Sequence, residues 1–391
     1  MTAAHQYRLT EEQQTLLDHA DRFGREQLYP LAQRMDDDEW WPEGIFARFG
    51  ELGYFGITVP EQYGGAGLDL LCAGVMLQGF ARWNHALALS WVVHDNLSLN
   101  NIYRNGHEDL RRRYLPRMCT GEWIGALGLT EPGAGSDALG AMRTTATKDG
   151  EHYVLNGTKM YITNGPVADV LLVYAKTAPE RGAKGISAFV IEKDFPGFRV
   201  AQELKKMGFR GCPTGELVFD ECRVPAQNLV GAENEGHKVV MSGLDFERAM
   251  IAPLCVGIAE RALQLSVEYA KTRVQFGQPI GKFQMIQAKL ADMYVWVQTM
   301  KTFTYQVLAQ ASAVEMGEGG RGEIHMQTAA AVMYASQTMN RVLDEAVQIH
   351  GGSGYLWESE VNRLFRSIKL MDIGAGTTEV RKMIIGQGLL A

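Results

Sequence analysis

Glu247 lies in the stretch Ser242-Gly243-Leu244-Asp245-Phe246-Glu247-Arg248-Ala249-Met250-Ile251-Ala252. At helical spacing its neighbours one turn either way are Leu244, Met250 and Ile251, with Leu254 two turns on. A carboxylate set into such an apolar face loses hydration. Desolvation disfavours its charged form and raises its pKa, which turns an ordinary Glu into a usable general base. The plainer alternative is a surface Glu paired with Arg248 or Arg261 at the edge of a helix, and periodicity alone leaves both open.

Two further segments bear on the choice: Leu129-Thr130-Glu131-Pro132-Gly133-Ala134-Gly135-Ser136-Asp137 and Ile373-Gly374-Ala375-Gly376-Thr377-Thr378-Glu379-Val380-Arg381. With Tyr161-Ile162-Thr163-Asn164-Gly165, Gly208-Phe209-Arg210-Gly211, Arg273-Val274-Gln275-Phe276-Gly277 and Gln348-Ile349-His350-Gly351-Gly352 they form a succession of motifs. Each is weak alone, but together and in this order they are specific. From Arg8 to the C-terminus the chain resembles the acyl-CoA dehydrogenases, and among them the isovaleryl-CoA dehydrogenase branch. Most members of that family carry the base in the C-terminal loop, as Glu in a Tyr-Glu-Gly-Thr motif. Ala375 stands at that position here and cannot accept a proton. The isovaleryl-CoA and long-chain branches place the base on the earlier helix, at the position matching Glu247. Loss at one site and gain at the other fit a relocated base and outweigh the surface-Glu alternative.

The resemblance implies α,β-dehydrogenation of an acyl-CoA thioester, in which a base removes an α-proton while a β-hydride passes to N5 of FAD. Enolate charge developing on the thioester oxygen needs hydrogen-bond donors, and the family implies the backbone N–H of Ala375 as one of them. By the same resemblance, Leu129, Thr130, Gly135 and Ser136 meet the flavin and its pyrophosphate. Gly133 and Gly135 lack a Cβ, so the backbone there is open to close approach. Tyr161 stands where most members have a stacking Trp, Thr163 faces flavin N5, and Thr377 and Glu379 point toward the adenosine half. Arg273, Phe276, Gln284, Gln348 and Gly352 match positions that reach the FAD of a neighbouring subunit, which implies a homotetramer built as a dimer of dimers. Ser136, Asp245, Arg248, Gly374 and Ala375 match substrate-binding positions. Gly374 replaces a Tyr of most relatives and opens space for a β-methyl branch, although a simple turn before Gly376 is an equal reading. Pro253, six residues past Glu247, is expected to remove a backbone hydrogen bond and bend the helix.

The implied function is FAD-dependent dehydrogenation of a short or branched acyl-CoA, with electrons passed to an electron-transfer flavoprotein. One alternative is the same chemistry on a medium- or long-chain or terpenoid-derived acyl-CoA. Gly354-Tyr355-Leu356-Trp357-Glu358 resembles the long-chain branch and favours that alternative. Another, from a different class, is a non-catalytic acyl-CoA-binding relative, although such a chain need not keep a carboxylate at 247.

The elements that must position these residues follow from composition and texture. At 391 residues the chain exceeds the size of one growing core, so two or three domains are expected. A formal charge of −7 and a pI near 5.8 argue against a nucleic-acid surface. Arg111-Arg112-Arg113 follows Glu108 and Asp109 and reads as a solvated helix face. The five cysteines show no Cys-x-x-Cys spacing and imply neither a disulfide framework nor a metal site. No run of about 20 apolar residues suggests a membrane span, and the N-terminus lacks the pattern of a secretory signal, so a cytoplasmic location is expected.

The expected fold is α+β in three parts, with boundaries at 1–122, 123–234 and 235–391. In the first, helical part, Thr10 and Gln13 form a capping box, apolar residues recur at Leu16, Leu17, Ala20 and Phe23, and Pro30 ends the segment. Gly64-Gly65-Ala66-Gly67 precedes no P-loop Lys and reads as a turn between helices. The middle part is an antiparallel sheet domain, with Asn156-Gly157 as a hairpin turn and Val170–Ala175 and Ile186–Ile191 as strands. The last is a four-helix bundle whose Met293, Tyr294, Met300 and Phe303 are expected in the core. Gly317-Glu318-Gly319-Gly320 and Gly351-Gly352-Ser353-Gly354 separate its helices. Gly317, Gly319 and Gly322 have Gly-x-Gly-x-x-Gly spacing but lie between helical segments with no strand before them; no Rossmann-type fingerprint is read, which disfavours a nicotinamide cofactor.

Overall fold

The computed structural model describes residues 9–314 and 322–391. The expected break at 317–320 lies outside the described residues. Thr10 opens α1 (Glu11–Phe23) with the capping box read from sequence: Gln13 N–H donates to the Thr10 hydroxyl, and Thr10 N–H to the Gln13 side chain. The chain then continues through π-helical turns at Gly24–Leu28 into α2 (Tyr29–Asp38). Pro30 does not end this segment. It is the second residue of α2, where a missing N–H costs no intrahelical bond.

Next come α3 (Ile45–Glu51), α4 (Leu70–Trp83), α5 (His85–Val92), a π-helical stretch at Val93–Asn100, α6 (Asn101–Asn105) and α7 (Glu108–Cys119). The 64–67 glycine loop is the turn before α4.

The middle of the chain forms an eight-stranded sheet. Its strands are β1 (Gly125–Gly128), β2 (Thr145–Asp149), β3 (His152–Thr163), β4 (Val170–Lys176), β5 (Ile186–Glu192), β6 (Phe198–Glu203), β7 (Thr214–Pro225) and β8 (Leu229–Val230). The order is β6-β7-β3-β2-β4-β5-β8, with β1 also on β4. The sheet is not wholly antiparallel, because β4 runs parallel to both β1 and β2. The six residues Val170–Ala175 of β4 are all buried, which accounts for their unbroken apolar run.

The expected Asn156-Gly157 hairpin turn is wrong. The turn between β2 and β3 is Gly150-Glu151, flanked by the pair Asp149 and His152, and Gly150 has φ +57°. Asn156-Gly157 instead marks an irregularity inside β3. A Cβ on Gly157 would come 2.5 Å from the Thr144 hydroxyl, so glycine there permits close strand approach.

The chain returns to helix in α8 (Gly236–Thr272), followed by the hairpin β9 (Val274–Gln275) and β10 (Gln278–Pro279), then α9 (Gln284–Ser312) and α10 (Gly322–His350). Short helices α11 (Gly352–Tyr355), α12 (Glu360–Ser367) and α13 (Lys369–Ile373) lead into α14 (Thr378–Leu390). Helices α8, α9, α10 and α14 pack as a bundle, and α4 joins them along α8 and α9 in one apolar core. Met293 and Met300 lie fully in that core and Phe303 is half-buried, but Tyr294 is exposed in the protomer. Pro253 is buried within α8 and does not interrupt it.

Contrary to the sequence reading, one helix among the described residues, α8, is long and apolar enough to cross a membrane. Its most apolar window is 72% buried in the protein, as expected of a core helix. The Gly208-Phe209-Arg210-Gly211 segment ties the sheet to the helical parts. Phe209 N–H donates to Ser367 Oγ of α12, and Arg210 pairs with Glu39 just beyond α2.

Candidate functional site

Glu247 sits three turns into α8, inside the core that α8 shares with α4 and α10. Burial pushes its carboxyl up to about 7, against a smaller lowering pull from the guanidiniums of Arg248 and Arg381. The side chain keeps a small accessible surface, which a base facing a substrate requires. Arg261, the other partner considered from sequence, binds Glu360 through both oxygens at 2.8 Å. The surface-pair reading of Glu247 therefore fails.

The C-terminal loop is held against this point by the same two arginines. Arg248 Nε donates to the Ala375 carbonyl at 3.4 Å, and Arg381 Nη2 to the Gly374 carbonyl at 2.6 Å. Arg381 is fully buried and also reaches Ser336 on α10. The loop turns at Ala375 (φ +54°) and Gly376 (φ +86°). A left-handed alanine costs on the order of 1 kcal/mol, so the carbonyl contacts must hold it in place. Gly374 itself is extended, with φ −71° and ψ 158°. Any residue can adopt that backbone, and Gly374 and Ala375 form the turn that follows α13. Thr377 caps α14 by accepting from Val380 N–H, and Glu379 is exposed in the first turn.

A second group of expected residues gathers at β1 and β3. Leu129 and Thr130 follow β1 and are pinned to β3, with Lys159 Nζ donating to Leu129 O and Met160 N–H to Thr130 O. The fully buried Lys159 pairs with Glu131 at 2.8 Å. Glu131 in turn accepts from the backbone of Arg143 and Thr144. Beyond this anchor, Gly133, Gly135 and Ser136 are exposed, and a Cβ on either glycine would meet nothing within 4 Å. A bulge between Lys159 and Ile162 turns Tyr161 outward at φ +63° with 65% of its surface exposed, beside the half-buried Thr163. Open backbone N–H groups beside an outward aromatic ring fit a flat, anionic dinucleotide. Leu244, one turn before Glu247, packs in the same cluster as Leu127 and Leu129, which brings α8 to this edge.

The remaining expected residues are elsewhere. Arg273 follows the end of α8, Gln284 opens α9, and Gln348 and Gly352 flank the end of α10; Tyr269 stacked on His350 holds these helix ends together. All four are exposed, as is Phe276 at 93%. Arg273 is 26 residues beyond Glu247, roughly 39 Å along a helix. The structure therefore divides the expected cofactor residues into two groups at opposite ends of α8. Tyr355, Leu356 and Trp357, read as long-chain-like, are exposed near α12. A surface cleft of about 330 Å3 between Arg117, Trp123, Asp169 and Lys193 contains none of the site residues. No cluster of His, Cys, Asp or Glu among the described residues could hold a metal.

Two expected substrate contacts, Asp245 and Arg248, are almost wholly buried, and their side chains face protein partners. The sequence reading missed the structural part of Arg381 and missed His325 of α10. Arg381 closes the Ile373–Arg381 segment, so its position is a signal in the sequence, whereas nothing in the local sequence marks His325.

Models of the acyl-CoA dehydrogenase N-terminal, middle and C-terminal domains match residues 10–122, 126–222 and 234–390. The chain is 41% identical to the mitochondrial isovaleryl-CoA dehydrogenase of Pongo abelii, covering 98% of this chain and 90% of that protein. Its fold is similar to butyryl-CoA dehydrogenase from Megasphaera elsdenii, with a TM-score of 0.93, 37% identity, and 98% and 99% of the two chains covered. It matches equally well, with the same values, a chain from a structure of the electron transferring flavoprotein of Acidaminococcus fermentans. The protein belongs to the acyl-CoA dehydrogenase family: an FAD-dependent oxidoreductase acting on CH–CH bonds, with a helical N-terminal, a β middle and a helical C-terminal domain.

Proposed function

We propose that the enzyme dehydrogenates a short or branched acyl-CoA, isovaleryl-CoA-like, to the 2-enoyl-CoA, with Glu247 as the base. The observation that carries this reading is a carboxyl pushed up to about 7 beside a C-terminal loop that has Ala375 in place of a base. A general base is most effective when its pKa lies near the working pH. Glu247 takes the α-proton, and the C–H electron pair becomes the Cα–Cβ double bond. FAD, when bound, supplies the acceptor for the hydride leaving Cβ. Leu129, Thr130, Gly135, Ser136, Tyr161 and Thr163 hold the flavin side, with Thr377 and Glu379 toward the adenosine. The Ala375 N–H donates to the thioester oxygen as negative charge develops there. Its direction is set by the arginine-held carbonyls of Gly374 and Ala375.

Gly374 leaves room beside the β-carbon, which favours a β-branched chain. The identity to an isovaleryl-CoA dehydrogenase supports the same choice. Arg273, Phe276, Gln284, Gln348 and Gly352 serve the FAD of a neighbouring subunit in a homotetramer. Their exposure far from Glu247 supports that assignment, as do the exposed Met285 and Val295 on α9. Domain limits at 1–122, 123–234 and 235–391 and an electron-transfer flavoprotein as acceptor complete the reading. The test is turnover of isovaleryl-, butyryl-, 2-methylbutyryl- and octanoyl-CoA with an artificial electron acceptor, by the wild type and Glu247→Ala. Preference for octanoyl-CoA would overturn the substrate class, and turnover by the variant would overturn the base.

A further inference from the structure

Helix α10 brings to this region one polar side chain that the reaction as described does not use. His325 Nδ1 lies 2.6 Å from Asp245 Oδ1, across the interface between α10 and α8. Arg248 Nη1 stands 3.8 Å from the same carboxylate oxygen and 3.5 Å from the same imidazole nitrogen. We propose that His325 is a positioning residue for the Glu247 site: it fixes Asp245, which aims Arg248, which holds the Ala375 peptide. The inference rests on the reading of Glu247 as the base.

The hydrogen-bond chemistry gives the arrangement a direction. A carboxylate only accepts, so the proton of the short contact resides on His325 Nδ1. Arg248 therefore meets an N–H rather than a lone pair at that nitrogen, and the 3.5 Å approach is a packing contact. The guanidinium is aimed instead by Asp245 at 3.8 Å and the Ala375 carbonyl at 3.4 Å. Both distances are long, so Arg248 is placed by the positions of its neighbours rather than by one tight bond. The side chains of Asp245 and Arg248 are 3% and 5% exposed, and water cannot substitute freely for a lost anchor.

The charged and titratable groups acting on Glu247 come from three elements: Arg248 on α8, Arg381 on α14 and Tyr174 on β4. Asp245 and His325 form the layer behind Arg248. Of these groups, Arg248 has the larger lowering effect on the Glu247 carboxyl. Letting its guanidinium drift therefore raises the pH at which Glu247 ionises and loosens the turn at Ala375.

The experiment compares FAD-loaded wild type, His325→Ala, His325→Asn and Glu247→Ala. Flavin reduction by isovaleryl-CoA and by butyryl-CoA is followed in stopped flow from pH 6 to 9, and amide exchange is measured over 373–377. For His325→Ala the expected result is a reduction rate at pH 6.5 lower by about three- to tenfold. Its pH profile should be displaced to higher pH, and exchange at 374–376 should be faster. Asparagine places an amide N–H where Nδ1–H was, so His325→Asn should recover most of the rate and the profile. Should the Ala variant fail to retain FAD, His325→Gln takes its place; it fills the space without a donor at the Nδ1 position. An unmoved pH profile and unchanged exchange, or equal losses in the donor-lacking and Asn variants, would overturn the inference. If Glu247→Ala abolishes reduction while those results hold, only the inference fails; if Glu247→Ala keeps reduction, the base assignment itself fails.

Discussion

Replacing Glu247 with Gln should make the protein more stable at alkaline pH and nearly inactive, and the two effects have one origin. Burial raises the Glu247 carboxyl from its ordinary 4.5 to about 7. Between those values the folded protein binds a proton that the unfolded chain has released. The associated stability is fully present below pH 4.5 and is lost as pH rises through 7. The full difference corresponds to about 3 kcal/mol, an upper bound because the side chain retains some solvent access, and about 2 kcal/mol of it falls between pH 5.5 and 8. Gln has the same shape and no charge, so Glu247→Gln escapes that loss. Thermal midpoints of FAD-loaded wild type and variant, measured from pH 5.5 to 8, should diverge as pH rises, with the variant higher. Asp95, also pushed up to about 7 by burial, contributes the same slope to both proteins and cancels in the difference. Over the same range the wild-type rate of flavin reduction should climb about tenfold between pH 6 and 8 as the base ionises. The variant should fall by about 10²–10⁴ at every pH. Parallel stability curves together with a pH-independent wild-type rate would refute the claim that Glu247 is a desolvated base.

Gly374→Tyr should cut isovaleryl-CoA turnover about 10–200-fold relative to butyryl-CoA, the worth of one methyl group in an apolar pocket. The backbone there is extended and an added Cβ meets only Leu370, at 3.3 Å or more, so equal losses on both substrates in a folded variant would count against the pocket assignment. Light scattering of the FAD-loaded protein should give a tetramer, and Phe276→Glu, placing a charge on a 93%-exposed ring, should reduce both assembly and FAD retention. Lys159→Met should destabilise the protein by about 3–5 kcal/mol by leaving the Glu131 carboxylate buried without its cation, and adding Glu131→Gln should recover part of that loss in chemical denaturation.

The sequence by itself carried the reaction class through its resemblance to the family, because the motifs that bear the resemblance are residue types in a fixed order along the chain. Glu247 amid apolar neighbours, the Gly374-Ala375-Gly376 run and the glycines after Glu131 are local facts that need no fold. Local chemistry also sufficed for the capping box at Thr10. It failed where two local signals competed. Asn156-Gly157 is a strong turn dipeptide, yet the turn formed at Gly150-Glu151 and the dipeptide became a bulge, because long-range pairing of β3 with β7 outweighs a two-residue preference. Pro30 was misjudged for a related reason, since a proline stops a helix only from inside it. Only the tertiary structure decided which side chains surround Glu247. Arg248, Arg381 and His325 come from three helices far apart in the chain, and their contacts exist only once α8, α10 and α14 have packed. The same packing separated Arg273 and Gln348 from Thr130 and Tyr161. One-dimensional spacing carries no information about which end of a 37-residue helix a motif will occupy in space.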